Sequence, residues 1–170
     1  MVIDTKIALK AAGVGIAGAV LTIIANGFRY LFQDVLTRAL NFNLWNDISS
    51  IISFSTYTLG IAVAAIVGCG AVWILRGGFV SIRSAVIYAA IAGVVLGVAG
   101  SFAQVVYDLV FRPFIVGYAY SALDALITIA YCGVDVAVMA GLAIAGGTLY
   151  TVFVLNPDAI QVVSRVDVKQ

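Results

Sequence analysis

The chain alternates between long apolar stretches and short polar ones, and this alternation predicts its elements. Each apolar stretch exceeds the ~20 residues that a helix needs to cross roughly 30 Å of hydrocarbon. The pattern therefore predicts an all-α integral membrane protein, with one transmembrane helical domain over residues 1–170. We expect a bundle of about four membrane-spanning helices, at residues 7–32, 51–75, 84–110 and 127–155.

The first two apolar stretches are joined by the most polar interior segment, residues 33–50. It contains Asp34, Arg38 and Asp47, but its leucine and isoleucine side chains would share one side of a helix. This pattern predicts a short amphipathic helix in the membrane interface, with Trp45 at the level of the lipid headgroups. A plain loop is the alternative.

The last apolar stretch, residues 114–155, is too long for one straight crossing. It contains no Pro, Lys or Arg, and as one helix it would be about 63 Å long. Three arrangements fit: a surface helix followed by one crossing, a hairpin that turns at residues 132–135, or one long tilted helix. We favour a single crossing, because the turn of the hairpin would contain only one glycine and no proline.

Composition supports a membrane location and argues against an enzyme. Of the 170 residues, 64% are hydrophobic and 10% are charged, so the chain could not cover itself with polar surface in water. The sequence has no histidine, the usual general base and metal ligand, and no nucleotide-binding loop, HExxH or GxSxG motif. We therefore expect no catalytic residue, no metal and no cofactor. Cys69 and Cys132 lie in apolar stretches without a CxxC partner, and we interpret them as small core residues.

Charge bears on partners and on orientation. The net charge of +1 excludes the basic surface of a nucleic-acid-binding protein. With four crossings, both termini and the second loop share one side of the membrane. That side carries more Lys and Arg than the other, so the positive-inside rule predicts both termini in the cytoplasm. The first side has Lys6, Lys10, Arg76, Arg83, Arg165 and Lys169; the second has Arg29, Arg38 and Arg112.

Small residues recur at every fourth position in the predicted helices. This spacing places them on one helix face, and in lipid such faces let two helix backbones approach closely. We expect them to pack against other helices, either inside the bundle or in other subunits. The residues are Gly60, Ala64 and Gly68; Ala89, Gly93 and Gly97; Gly133, Ala137, Gly141 and Ala145; and, in the first helix, Ala11, Gly15 and Ala19.

Acidic residues inside an apolar stretch are costly in a bilayer and therefore informative. Asp124, Thr128, Tyr131 and Asp135 are spaced 4, 3 and 4 residues apart, so a continuous helix would align them in one polar stripe. The stripe predicts either a path for protons or cations, or a structural clasp in which Asp135 bonds to Tyr131 or to a neighbouring helix.

Polar residues also gather at the ends of the first and third helices. Gln104, Asp108 and Arg112 form one short stripe, and Asn26 and Arg29 belong to a similar polar end. Both ends should lie on the same side of the membrane. We therefore expect a cluster of Arg29, Asp108 and Arg112 at the interface; the simpler alternative is that the arginines extend separately to the headgroups.

Two functions compete at this point. The first is a non-catalytic membrane subunit that packs through its small-residue faces into a multi-subunit complex, a homo-oligomer or a viral envelope assembly. Its partners would be lipid and other membrane subunits or copies of itself, with no small-molecule substrate. The alternative is a small proton or cation channel or transporter that uses the stripe from Asp124 to Asp135. The environment of Asp135 discriminates between them, because a hydrated cavity favours transport and a dry helix contact favours assembly.

Overall fold

The computed structural model describes residues 4–39, 42–75, 81–111 and 121–155. They form four helices: α1 (Thr5–Ala39), α2 (Phe42–Trp73), α3 (Ile82–Val106) and α4 (Ala122–Tyr150). Helices α3 and α4 each continue into a π-helical turn, Tyr107–Phe111 and Thr151–Leu155. The described part of the chain contains no strand, and the all-α prediction is confirmed.

Each helix contains a segment that is long and apolar enough to cross a membrane. The boundaries of these segments differ from the predicted ones by at most four residues. The prediction of a multi-pass helical membrane protein with four spans is confirmed. The segments are Thr5–Phe28, Ser50–Trp73, Ile82–Phe111 and Leu123–Leu155.

The polar segment between the first two spans differs from the prediction. No separate interfacial helix forms there in the described residues, because α1 continues to Ala39 and α2 begins at Phe42. Residues 28–39 contain neither proline nor glycine, so nothing in the covalent structure ends α1 where the chain becomes polar. The polar residues at 33–50 are instead divided between the end of α1 and the start of α2.

The structure excludes one of the three arrangements of the last apolar stretch; residues 114–120, where a surface helix was an alternative, lie outside the described residues. Helix α4 runs without a break through residues 132–135, which excludes the hairpin. A single glycine in a helix interior costs only about 1 kcal/mol relative to alanine, so Gly133 alone does not break the helix. The span Leu123–Leu155 is therefore one continuous helical segment.

Helices α2 and α3 are the central pair of the bundle. Both α1 and α4 pack against this pair. Helix α1 runs parallel to α3, since Asp4 bonds to the Tyr88 hydroxyl and Gly15 lies against Ala92. The start of α1 and the end of α4 lie at the same end of the bundle, because Leu155 packs against the cluster that contains Ala85. Which side of the membrane this end faces stays a prediction.

Candidate functional site: a polar cavity in one half of the bundle

Three of the four polar residues predicted to form a stripe on α4 line one cavity. Thr128, Tyr131 and Asp135 border a cavity of about 510 Å³ between the four helices. Their spacing of three and four residues puts them on the face of α4 that points towards this space. Asp124 is not among the described residues that line it.

Asp124 has a structural role at the start of α4. Its carboxylate Oδ2 accepts hydrogen bonds from the Ser121 hydroxyl at 2.7 Å and the Ser121 backbone N–H at 3.0 Å. In return, the Asp124 backbone N–H donates to the Ser121 hydroxyl oxygen at 3.2 Å. This reciprocal pair is a capping box, which satisfies backbone donors that a helix start leaves without partners. The carboxylate of Asp124 is therefore engaged in capping the start of α4.

The other helices supply further polar groups to the cavity. Helix α1 contributes Thr22 and Asn26, α2 contributes Thr56, and α3 with its π-helical turn contributes Gln104 and Asp108. Two smaller cavities, of about 50 and 90 Å³, also border Asn26 and Gln104. From the sequence, these two residues belong to polar helix ends unrelated to the α4 stripe, and the two threonines go unnoticed. The available signal was the four-residue spacing of Thr22 with Asn26 and of Gln104 with Asp108.

The threonines present oxygen lone pairs, not hydrogen atoms, to the cavity. Each hydroxyl donates its hydrogen to a carbonyl oxygen one turn earlier in its own helix. Thr22 bonds to Gly18 at 3.0 Å, and Thr56 bonds to the Ile52 carbonyl at 2.8 Å. Thr128 does the same with the Asp124 carbonyl at 2.9 Å. A hydroxyl that has used its hydrogen can only accept, so these side chains suit a cation or another hydrogen-bond donor.

The charged groups of the cavity are all acidic within its described lining. Asp135 is half-buried on α4, and Asp108 is only 6% exposed on the turn that follows α3. No lysine or arginine is among the described lining residues. Asp135 makes no hydrogen bond or ion pair in the described part of the chain. The clasp between Asp135 and Tyr131 is therefore not formed, and the carboxylate of Asp135 borders open space.

The half of the bundle beyond the cavity is closed by contacts between small residues. We call it the closed half, defined by Gly15, Gly68 and Gly93 with their partner helices. A Cβ atom added to Gly93 would lie 2.7 Å from the Ala140 Cα atom, and one added to Gly97 would lie 2.7 Å from the Val136 Cα atom. Gly15 and Gly68 approach the backbone of neighbouring helices still more closely. These backbones touch, so the cavity does not continue through the described part of the closed half.

The predicted small-residue faces of the first three helices pack inside the bundle. Ala64 and Ala89 are fully buried, as is Ala11 in α1. Gly60 is the weakest case, because an added Cβ atom would meet only the Met139 Cε atom, at 3.6 Å. The remaining members, which are buried or make the contacts given above, are Gly68, Gly93, Gly97, Gly15 and Ala19.

The predicted face of α4 points in the other direction. Gly133, Ala137, Gly141 and Ala145 are exposed, and an added Cβ atom at either glycine would have no described neighbour within 4 Å. The bundle instead uses Gly146 and Gly147, which contact α2 and α3. The sequence could not separate the two faces, because α4 has small residues on both. The four residues are thus available to lipid or to another chain.

The two cysteines are free thiols at helix contacts. Cys69 lies between α2 and α4, where its Sγ atom donates to the Gly146 carbonyl oxygen at 3.3 Å. Cys132 lies between α4 and α3, where its Sγ atom is 3.8 Å from the Ser101 carbonyl oxygen, and it also borders the cavity. The two thiols therefore belong to different halves of the bundle.

The predicted interfacial cluster lies mostly outside the described residues. This applies to the side chain of Arg29 and to the whole of Arg112. Asp108 is described, and it belongs to the cavity.

The fold is that of a multi-pass helical membrane protein with a polar cavity inside its spans. No family model matches the chain, and neither the curated proteins nor the solved structures contain a match.

Proposed function

We propose that this chain is a small, non-catalytic membrane transport protein that binds a proton or another cation in the polar cavity. The observation that carries the proposal is the position of Asp135, which borders open polar space and lies in no dry contact between helices. An ionised carboxylate in mid-membrane costs about 2.5–3.5 kcal/mol on insertion scales, and polar residues at such depth typically mark ion pathways. The cavity reduces this cost by admitting water or a cation.

The chemistry of the lining supports a cation as the ligand. Asp135 provides a carboxylate, and Asn26 and Gln104 provide carbonyl oxygens. Oxygen ligands of this kind suit hard cations and protonated groups. An anion would meet the carboxylate of Asp135 and no basic residue among the described lining residues.

The closed half favours a transporter over an open channel. A channel needs a continuous polar path, whereas beyond the cavity the helix backbones touch at Gly68 with Ala143 and at Gly15 with Ala92. Translocation would require those contacts to open while the cavity closes, as in alternating access. In this proposal the described arrangement is the state in which the cavity is open and the closed half is shut.

Ion flux in liposomes tests this proposal. The purified full chain should dissipate an imposed proton, sodium or potassium gradient, followed with a trapped fluorescent indicator. Asp135→Asn keeps the shape of the side chain but removes its charge, so flux should be lost. Asp124→Asn is the matched control, because Asp124 serves the helix cap outside the cavity and should be dispensable for flux. A wild type without flux, or full flux in the Asp135→Asn variant, would contradict the proposal.

The outward face of α4 favours a second candidate, a structural subunit of a larger membrane assembly. In this alternative, Gly133, Ala137, Gly141 and Ala145 let a helix of another subunit, or of a second copy, approach α4 closely. Chemical crosslinking in native membranes tests it. Gly141→Leu should abolish the crosslinked species and leave the monomer folded, because no described atom lies near an added Cβ at this position. Crosslinking that is absent from the wild type, or unchanged in the variant, would count against assembly through this face.

A further inference from the structure

The cavity has an exposed rim on two of its four helices only. Tyr57 and Ile61 on α2 are 70% and 51% exposed, and Tyr131 and Val138 on α4 are 67% and 48% exposed. The described lining residues of α1 and α3 are buried or half-buried. The cavity therefore opens sideways, between α2 and α4.

The contacts between α2 and α4 are consistent with this opening. Their closest approaches involve Gly68 with Ala143 and Gly146 with Ala65, both in the closed half. At Gly60 the neighbour of an added Cβ atom is the flexible end of Met139. Closer to Tyr57 and Tyr131, the space between the two helices is the cavity itself.

The opening lies within the apolar segments that are long enough to cross a membrane. Tyr57 and Ile61 follow the start of their span at Ser50 by seven and eleven residues, which is about 10 Å and 16 Å along a helix. Tyr131 follows the start of its span at Leu123 by eight residues, or about 12 Å. A molecule that uses this opening must therefore dissolve in the hydrocarbon, which a hydrated inorganic ion does not.

The rim and the interior of the cavity suit different parts of one ligand molecule. The rim consists of two aromatic rings and two aliphatic side chains, whereas the interior holds the carboxylate of Asp135. A cation attracts carboxylates, and the face of a tyrosine ring attracts it as well. The volume of about 510 Å³ falls within the range of pockets for drug-sized ligands.

We infer that the cavity takes a lipophilic organic cation, an amine or onium ion with apolar substituents, from the bilayer through the opening between α2 and α4. This inference rests on the proposed function, since Asp135 is the charged group in both. It adds the class of substrate and its route of entry. Asp135 binds the charge, while Ile61, Val138 and the tyrosine rings contact the apolar substituents.

Binding of tetraphenylphosphonium tests the inference. The full chain in lipid nanodiscs should bind it at one site, measured by equilibrium dialysis, and excess sodium or potassium should compete only weakly. Asp135→Asn should weaken binding roughly tenfold or more, because it removes the opposite charge. Ile61→Trp should slow or block entry without altering a carboxylate. Ile66→Trp is its matched control, since Ile66 is 68% exposed on the same helix but does not line the cavity.

The outcomes separate the inference from the proposed function. Gradient-driven flux that depends on Asp135, without tetraphenylphosphonium binding, would overturn the inference and leave the proposed function in place. Loss of flux together with loss of tetraphenylphosphonium binding would overturn both the inference and the proposed function. Equal effects of Ile61→Trp and Ile66→Trp would overturn the lateral route. Crosslinking of Tyr57→Cys to Tyr131→Cys in a second copy would show that another subunit fills the opening, and would also overturn it.

Discussion

The two halves of the bundle obey the same four-residue spacing but give opposite results. In the closed half, glycine and alanine recur at this spacing, and the helix backbones touch, as at Gly93 with Ala140. In the other half, which we call the open half and define by Thr22, Gln104 and Asp135, polar residues recur at the same spacing and surround a cavity. Periodicity selects the face of a helix, but the size and polarity of its residues decide whether that face packs or leaves space.

The comparison also shows how the bundle accommodates polar groups within its spans. Backbone contacts in the closed half hold the helices together, since lipid provides no hydrophobic drive for helix association. The open half can then leave Asp135 unpacked. A bundle packed tightly over its full length would have had to bury that carboxylate or expose it to acyl chains.

The largest expected effect is the loss of the closed half. Gly93→Leu should prevent folding, because an added Cβ atom would lie 2.7 Å from the Ala140 Cα atom and α3 would have to move away from α4. Overpacking typically costs about 1–3 kcal/mol, and a backbone contact leaves little room for relief. The measurement is the yield of monodisperse protein together with its thermal unfolding. Gly141→Leu is the control, and equal behaviour of the two variants would refute the assignment of the closed half.

An intermediate effect should distinguish the halves through their native thiols. A small, water-soluble cationic thiol reagent should modify Cys132, which borders the cavity, much faster than Cys69, which lies against Gly146 in the closed half. The measurement is the modification rate in Cys69→Ala and Cys132→Ala variants, each of which retains one thiol. Faster reaction at Cys69 would mean that the closed half admits water and that the comparison is wrong.

The smallest effect concerns the start of α4. Ser121→Ala removes the side-chain partner of Asp124 and should destabilise the protein by about 0.5–2 kcal/mol, the usual cost of a lost N-cap. Thermal unfolding measures this change. Ion flux per folded molecule should stay constant, because the cap lies outside the cavity. A proportionate loss of flux would place the cap of α4 in the transport path.

Much of the fold was accessible from the sequence, since length and hydropathy suffice to locate four spans. Two features of the fold could not be predicted from the sequence. The predicted interfacial helix does not form as a separate helix, because polarity alone does not end a helix that lacks proline and glycine, as residues 28–39 illustrate. The inward face of α4 could not be predicted, because Gly141 and Gly146 are equally small. The two faces of α4 differ in the free-energy cost of turning Asp135 towards lipid, and residue size alone does not report that cost.

The candidate site was predicted in part. The stripe on α4 gave Thr128, Tyr131 and Asp135, because a periodic pattern on one helix is visible in the sequence. Its convergence with Asn26 and Gln104 was not visible, since it depends on which helices are neighbours. The parallel packing of α1 with α3 brings those two residues together.

The direction of three hydroxyl bonds has an electrostatic consequence. Thr22, Thr56 and Thr128 all point their O–H dipoles back along their own helices. The negative end of each dipole is left to face the cavity. Protonation of Asp135 would remove a full charge but would not reverse these dipoles. The three hydroxyls would still offer lone pairs, so that protonation would weaken the binding of a cation without removing these acceptors.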